Sequence, residues 1–305
     1  MRALITGATG FIGGRLLRVL PEAVVLSRDA QRAQRALEPF RVTAHAWQPA
    51  EEPAPAAAFE GVEVVFHLAG ESLAEGRWTA AKKKRLRDSR VAGTRRLVAG
   101  LKQLSDRPRV LIAASAIGYY GNRGDLELVE SDPPGTDFLA ELCVEWEDAA
   151  REAESLGIRV VHPRIGIVLG TAGGVLAKLQ PIFRAGLGSP LGDGQQWISW
   201  IHQDDLVGLM MFAAQRDDLH GALNATAPHP VTSRQFTKML AEALHRPALL
   251  PAVPRFALRM ALGEFADALT ASQRVLPANA QKAGFSFQHA QLREALEHVL
   301  QAGDG

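Results

Sequence analysis

The sequence predicts an α/β fold: a doubly wound parallel sheet with a smaller, mainly helical C-terminal substrate subdomain. Three observations carry this. Short β-rich runs alternate with longer helical patterns, the signature of successive βαβ units. Several of the runs are almost wholly apolar, as strands covered on both faces must be. The first run passes through a glycine-rich turn directly into an amphipathic helix.

In chain order, strands are expected at residues 2–6, 23–27, 41–47, 62–68, 109–115 and 159–165, with 222–226 as a seventh. Helical patterns lie between them at 11–20, 29–38, 78–103 and 137–156. The Ala/Pro-rich stretch 49–58 reads as a loop leading to the fourth strand. After Gly170 the rhythm changes: 171–197 is glycine-rich, and from Thr232 the text is mainly helical, punctuated by Pro247, Pro251, Pro254 and Pro277. The expected organisation is a dinucleotide-binding domain at 1–170, to which the chain returns at about 198–227, and a subdomain from 171–197 and 228–305.

The 305 residues are 47% hydrophobic and 22% charged, ordinary globular proportions. A net charge of +1 gives no general attraction to nucleic acid or an anionic membrane, and the run Lys82-Lys83-Lys84-Arg85 reads as a solvated helix face. Cys143 is the single cysteine, so no internal disulfide can form and a reducing compartment fits. No segment reads as a signal peptide, and no apolar run is long enough to span a bilayer. The expectation is a cytoplasmic protein with a small-molecule substrate and neither nucleic-acid nor membrane partner. The nine histidines show no ligand spacing and one cysteine makes no thiolate site, so no metal is expected.

The glycine turn is the clearest chemical signal. In Gly7-Ala8-Thr9-Gly10-Phe11-Ile12-Gly13, Gly7 permits the tight turn, Gly10 lets backbone approach a pyrophosphate, and Gly13 lets the helix pack on the strand. Free N–H groups of this turn, which spans Thr9, Phe11 and Ile12, meet phosphate oxygens at the positive helix end. The second strand ends at Ser27-Arg28, where an acidic residue would bind a ribose 2′-hydroxyl and an arginine suits a 2′-phosphate. The expected cofactor is therefore NADP(H). Asp29 reads as the N-cap of the following helix.

Further motifs carry a resemblance to the extended short-chain dehydrogenase/reductases, whose Rossmann fold hosts the sugar-nucleotide epimerases and dehydratases. They are His67-Leu68-Ala69-Gly70, Val91-Ala92-Gly93-Thr94, Ser115, Arg164-Ile165-Gly166-Ile167-Val168-Leu169-Gly170 and Ile201-His202-Gln203-Asp204-Asp205. The strings Leu68-Ala69-Gly70-Glu71, Arg77-Trp78-Thr79, Asp88-Ser89-Arg90-Val91 and Ser199-Trp200-Ile201-His202 resemble an atypical branch of epimerase-family proteins of unknown substrate. So does a C-terminal module matching Leu262-Gly263-Glu264 and Gln273-Arg274-Val275-Leu276-Pro277. The resemblance implies that Leu68, Ala69 and Gly70 lie along the adenosine and ribose. It places Arg90 near the cofactor, where relatives often carry asparagine, and Ile165 and Ile167 beside the nicotinamide. For the apolar members, sheet core is the competing reading.

Catalysis is where the chain departs from the family. The family's tyrosine and lysine, four apart on the helix after strand five, share one face so that the ammonium lowers the phenol's pKa. Here Leu139 and Cys143 occupy those places, and neither Tyr119 nor Tyr120 has a lysine four residues on. Ser115 matches the serine that holds a substrate oxygen. Tyr119, four residues later, is the first replacement acid; Tyr120, Glu71 and His202 are the others, each with an equally good structural role as cap, ion pair or buried histidine. Cys143 reads as a core filler. Gln195, Gln196 and Trp197, then Arg184 and Arg274, are expected on the pocket's other wall, and Trp78 and Trp197 could stack on an apolar ligand. Gln196 and Trp197 stand near where relatives carry an arginine for a nucleotide diphosphate, which argues against a nucleotide-sugar substrate.

Three functions follow. The first is an NADP(H)-dependent oxidoreductase of small carbonyls or alcohols, using Ser115 and Tyr119. The second is a non-catalytic NADP(H)-binding sensor or interaction protein, and the third an epimerase-like activity. Leu86, Val91, Leu97, Leu139, Leu142 and Trp146 either form a homodimer surface or cover the sheet.

Overall fold

The computed structural model describes residues 1–303 of the chain. Its first half runs β1 (Ala3–Thr6), α1 (Phe11–Leu17), β2 (Ala23–Ser27), α2 (Ala30–Ala36), β3 (Val42–Ala46), β4 (Val64–His67), α3 (Ala80–Arg87), α4 (Gly93–Lys102), β5 (Val110–Ala113), β6 (Ser115–Ala116), β7 (Glu127–Leu128) and α5 (Phe138–Arg151). The second half runs β8 (Arg159–Ile165), β9 (Ile167–Leu169), α6 (Gly174–Arg184), β10 (Trp197–Ile198), β11 (Trp200–His202), α7 (Gln203–Gln215), β12 (Gly221–Ala225), β13 (Val231–Thr232) and α8 (Ser233–Ala243). It ends with α9 (Arg255–Leu262), α10 (Phe265–Leu269), β14 (Arg274–Val275), α11 (Ala278–Lys282) and α12 (Leu292–Gly303).

The main sheet is parallel throughout, in the order β12-β8-β5-β4-β1-β2-β3, with β6 extending the pairing along β8. The order reverses at β1, which pairs with β2 on one side and β4 on the other. Thr6 is level with His67, and His67 with Ala113, so Gly7, Leu68 and Ser115 emerge at one end of the sheet. That end is where ligands of such folds bind.

Alternation along the strands feeds two cores. Ile5, Phe66 and Ile112 point toward α1 and α7, against Leu16, Leu206 and Met210. Leu4, Val65 and Leu111 point the other way, against Leu97 and Leu101 of α4. With both faces covered, the strands can be apolar at every position. A third core joins Trp200 and Leu169 to α8 and α12 through Phe236, Leu240, Leu296 and Val299.

Side-chain caps start the helices where expected: Asp29 accepts from the Arg32 N–H at 2.9 Å, and Asp137 from the Ala140 N–H at 3.0 Å. The single helix expected over 78–103 is instead α3 and α4 joined by a π-helical turn, Asp88–Ala92. Ser89 Oγ donates to the Leu86 carbonyl at 3.1 Å, a side-chain bond that competes with the helical ladder. Among the described residues no helix is long and apolar enough to cross a membrane.

Candidate functional site

The glycine turn has the shape a dinucleotide requires. Gly7 has φ +74°, and a Cβ there would sit 3.0 Å from Ala69 N, so β1 and the end of β4 touch only because it is glycine. A Cβ on Gly13 would lie 2.7 Å from Ala8 Cα, which holds the start of α1 hard against the turn. At Gly10 a Cβ would meet only the Gly7 carbonyl, at 3.1 Å, and Thr9 and Gly10 are exposed. Gly10, the residue before α1, brings no side-chain cap, so the first N–H groups of the helix remain available to phosphate oxygens. The turn therefore fits a pyrophosphate.

Phe11 and Ile12 contribute differently. The Phe11 ring sits in a socket made by Gly170, Gly173 and Gly174: a Cβ on Gly173 would lie 2.8 Å from Phe11 Cβ, and one on Gly170 2.7 Å from Phe11 Cε2. Ile12 packs on the α1/α7 core. Their backbone, not their side chains, faces the turn's task. Arg28 is exposed at the end of β2, and Ser27 is half-buried, its hydroxyl bonded to the backbone of Asp29. Leu68 and Ala69 donate their N–H groups to Thr6 Oγ1, each at 3.1 Å, and Thr6 in turn meets His67 Nδ1 at 2.7 Å. His67 Nε2 lies 2.9 Å from Thr94 Oγ1. Burial pushes the His67 pKa down to about 4, so this bridge is neutral.

Arg90 leaves the π-helical turn to donate to the Glu71 carbonyl at 2.9 Å, with its guanidinium over the Trp146 ring. A Cβ on Gly70 would come within 3.2 Å of that guanidinium. Arg90 thus fixes the backbone just beyond β4. Ile165 and Ile167, half-buried on either side of Gly166, pack on the first and third cores respectively.

The polar centre of the site is a buried network that spacing did not reveal. Ser115 is 2% exposed and donates to Glu147 Oε1 at 2.6 Å. Glu147, on α5, is held by Arg164 of β8 through two bonds of 2.9 Å, Nε to Oε1 and Nη2 to Oε2. Arg164 also donates to Tyr120 Oη at 3.0 Å, and Tyr120 donates to Asn224 Oδ1 at 2.7 Å. Burial drives the Glu147 carboxyl upward, but the Arg164 bonds and charge outweigh it, leaving the carboxyl below its usual range. Burial raises the Tyr120 phenol to about 12, so Tyr120 serves as a neutral hydrogen-bonding strut.

The 3₁₀ turn Ile117–Tyr120 lies on the face of α5 where the family's dyad would project. A Cβ on Gly118 would be 3.3 Å from Leu139 Cβ and 3.9 Å from Cys143 Sγ. The next residue, Tyr119, is half-buried with the Arg164 guanidinium 3.4 Å from its ring centroid. Cys143 Sγ contacts the Ala116 carbonyl at 3.7 Å, and burial pushes its thiol up to about 12, which fits an inert core residue.

The remaining candidates have structural partners. Lys82 donates to Glu71 at 2.9 Å and Arg85 lies at 3.5 Å; the Lys82 bond holds this carboxyl below its usual range, unlike a base raised by burial. Lys82 is itself buried, so the Lys82–Arg85 run is not a wholly solvated face. Trp78 packs between Phe138 and Phe265 and is core. Gln196 is buried, donating to the Leu191 carbonyl at 3.0 Å, while Gln195 is exposed. Trp197 bonds Asp125 under the Arg274 guanidinium, and Arg274 pairs with Glu127 at 2.9 Å. Leu86, Val91, Leu97, Leu142 and Trp146 are buried inside the chain's own cores or against its own side chains.

His202 is fully buried, and its Nδ1 accepts the Asp204 N–H at 3.1 Å, capping α7. Burial and two neighbouring histidines push its pKa down to about 3. Those neighbours are His289 and His298, nearly a hundred residues away, so the histidines converge in space without any ligand spacing in the sequence.

The profile of the NAD dependent epimerase/dehydratase family matches residues 3–225, and that of a domain of unknown function, DUF1731, matches 253–299. Epimerase family protein Mb2239 of Mycobacterium bovis is 41% identical over 297 residues, covering 97% of this chain and 96% of that protein. The chloroplastic epimerase family protein SDR39U1 homolog of Arabidopsis thaliana is 40% identical over 311 residues, covering 99% and 87%. The crystal structure of human epimerase family protein SDR39U1 (isoform 2) with NADPH superposes with a TM-score of 0.87 at 29% identity, covering 99% of each chain. UDP-glucose 4-epimerase of Thermotoga maritima with UDP-glucose shares the fold at a TM-score of 0.81 and 18% identity, covering 99% and 98%. With the profile spanning the sheet and the glycine turn alike, this chain belongs to the NAD dependent epimerase/dehydratase family.

Proposed function

We propose that the protein is an NADP(H)-dependent oxidoreductase acting on a small alcohol or its carbonyl product. The cofactor is NADP(H): the glycine turn fits the pyrophosphate, Arg28 suits a 2′-phosphate, and the human relative was crystallised with NADPH. Bound there, the oxidised cofactor accepts a hydride, and the reduced one returns it.

The observation that carries the reading is the continuity of Ser115, Glu147, Arg164 and Tyr119 on the face where the family's dyad is missing. Because Ser115 gives its hydrogen to an ionised Glu147, its oxygen offers lone pairs alone. It therefore accepts from a substrate hydroxyl, which orients an alcohol. Tyr119, stacked on Arg164, carries the hydroxyl that exchanges a proton with the substrate oxygen. Glu147 stays a carboxylate throughout, since Arg164 neutralises it and makes it a poor base.

The second reading, an NADP(H)-binding sensor without turnover, is favoured by one observation: Ser115 is buried and already engaged. A panel of alcohols and carbonyls with NADP⁺ and NADPH, followed by reduced-nicotinamide absorbance, separates the two. Turnover that falls roughly 100-fold or more in Ser115→Ala and Tyr119→Phe, with NADPH affinity kept, supports the oxidoreductase. Turnover indifferent to both substitutions removes the assigned site, and tight NADPH binding with no turnover across the panel establishes the sensor.

A further inference from the structure

We propose that His202, His289 and His298, with the Asp204 carboxylate beside them, form a site for one divalent transition-metal ion of the zinc class. The ion would fasten the C-terminal helix to the junction of β11 and α7.

The residues come from both ends of the molecule. His202 closes β11 and caps α7, inside the region matched by the epimerase/dehydratase profile, while His289 and His298 belong to the C-terminal domain of unknown function. One donor atom from each of the three histidines and Asp204 lies within 4.8 Å of the others. His202 Nε2 and His298 Nδ1 are 3.1 Å apart. Two nitrogens about 2.0–2.1 Å from a tetrahedral ion are separated by roughly 3.3 Å, so this pair is already spaced to share one. The wider separations can close by side-chain rotation, because His289 is half-buried and His298 exposed on α12.

The surroundings are built for this convergence. The buried Asp205 carboxylate accepts the N–H of Gln288 at 2.8 Å and of His289 at 2.9 Å, which sets the His289 ring 3.8 Å from that of His202. Arg15 donates to Asp204 Oδ1 at 2.6 Å, leaving Oδ2 facing His202 Nδ1 at 3.9 Å. At 3.9 Å this is no hydrogen bond; closed, it would give the carboxylate–histidine–metal arrangement that orients ligating imidazoles. In the metal-free state one proton lies between His202 and His298. An ion would take its place, and His202 Nδ1 would then carry the ring proton toward Asp204 in exchange for its bond to the amide. Without an ion, the three stacked rings make a single hydrogen bond among themselves, and His289 adds no ring hydrogen bond to any described residue. Three imidazoles beside a carboxylate suit zinc, and also nickel or copper, rather than magnesium or calcium.

Tag-free, full-length protein stripped with a chelator tests the site through two readouts, calorimetric titration with Zn²⁺ and the visible spectrum with Co²⁺. The expected result is one ion per chain, a Co²⁺ spectrum of nitrogen-rich tetrahedral type and a raised melting temperature. His298→Ala and His289→Ala, at positions that leave the core intact, should each weaken binding roughly 100-fold or more. Sub-stoichiometric or absent binding, or unchanged affinity in both variants, would overturn the proposal. Cofactor binding and turnover are not readouts here, so the outcome is independent of the proposed oxidoreductase.

Discussion

Ser115 Oγ donates to Glu147 Oε1 at 2.6 Å, and the same carboxylate is clamped by Arg164 through Nε on Oε1 and Nη2 on Oε2, each at 2.9 Å. The serine that opens β6 is thereby tied to α5 and β8 through one buried ion pair. Removing one member of such a pair leaves the other charge stranded. Glu147→Gln should lower unfolding stability by about 3–5 kcal/mol, read by urea denaturation. Ser115→Ala, which removes one donor but leaves the carboxylate paired with Arg164, should cost less, about 1.5–3 kcal/mol. Equal losses from the two would mean that the ion pair is not what holds this region.

The cofactor assignment turns on Arg28. Losing a charge-assisted bond to a phosphate amounts to about 1.5–3 kcal/mol, so Arg28→Ala should weaken NADPH binding about 10- to 100-fold and leave NADH nearly unchanged. Fluorescence titration of both nucleotides measures this. A wild-type protein that binds NADPH and NADH equally would remove the basis for NADP(H).

Two buried histidines tie stability to acidity. Burial depresses His67 and His162 from 6.5 to about 4, so between those values the unfolded chain holds protons that the folded chain refuses. Stability contributed by these groups is complete above about pH 6.5 and drains away as the pH falls toward 4, by about 3 kcal/mol for each group. His67→Gln cannot titrate and should flatten the slope of unfolding free energy against pH across that window. An unchanged slope would show that His67 does not titrate there.

Cys143 supplies a probe of local opening. With its thiol raised to about 12 by burial, native protein should resist a disulfide exchange reagent at pH 8 and react fully once unfolded in urea. Rapid labelling of the native protein would mean that α5 lifts from the Ala116 strand end.

The sheet was legible because each strand carries its own signal. Residues 23–26 and 64–66 are apolar with no alternation, and in the phosphate turn Gly7 and Gly13 fall where a Cβ would collide. The NADP(H) end followed from the same local logic. The centre of the site did not. Glu147 reads in sequence as one more acidic residue on a helix, and only folding sets it against Arg164, seventeen positions away on a strand. The histidine cluster depends on Asp205 gripping the backbone before α12, a contact spanning more than eighty residues. The π-helical turn was hidden for a different reason: Asp88–Ala92 contains no glycine or proline to mark a break in the helix.

The glycine socket around the Phe11 ring has an evolutionary consequence. Position 11 lies in the phosphate turn and positions 170, 173 and 174 in the crossover after β9, yet they fill one volume. A methyl group added at 170 collides with the ring and with Gln203 Oε1, and one added at 173 collides with Phe11 from its Cβ outward, so either needs a smaller residue at position 11 together with a shift of its surroundings. Among relatives the two segments should therefore covary, with a bulkier crossover accompanying a smaller residue at position 11.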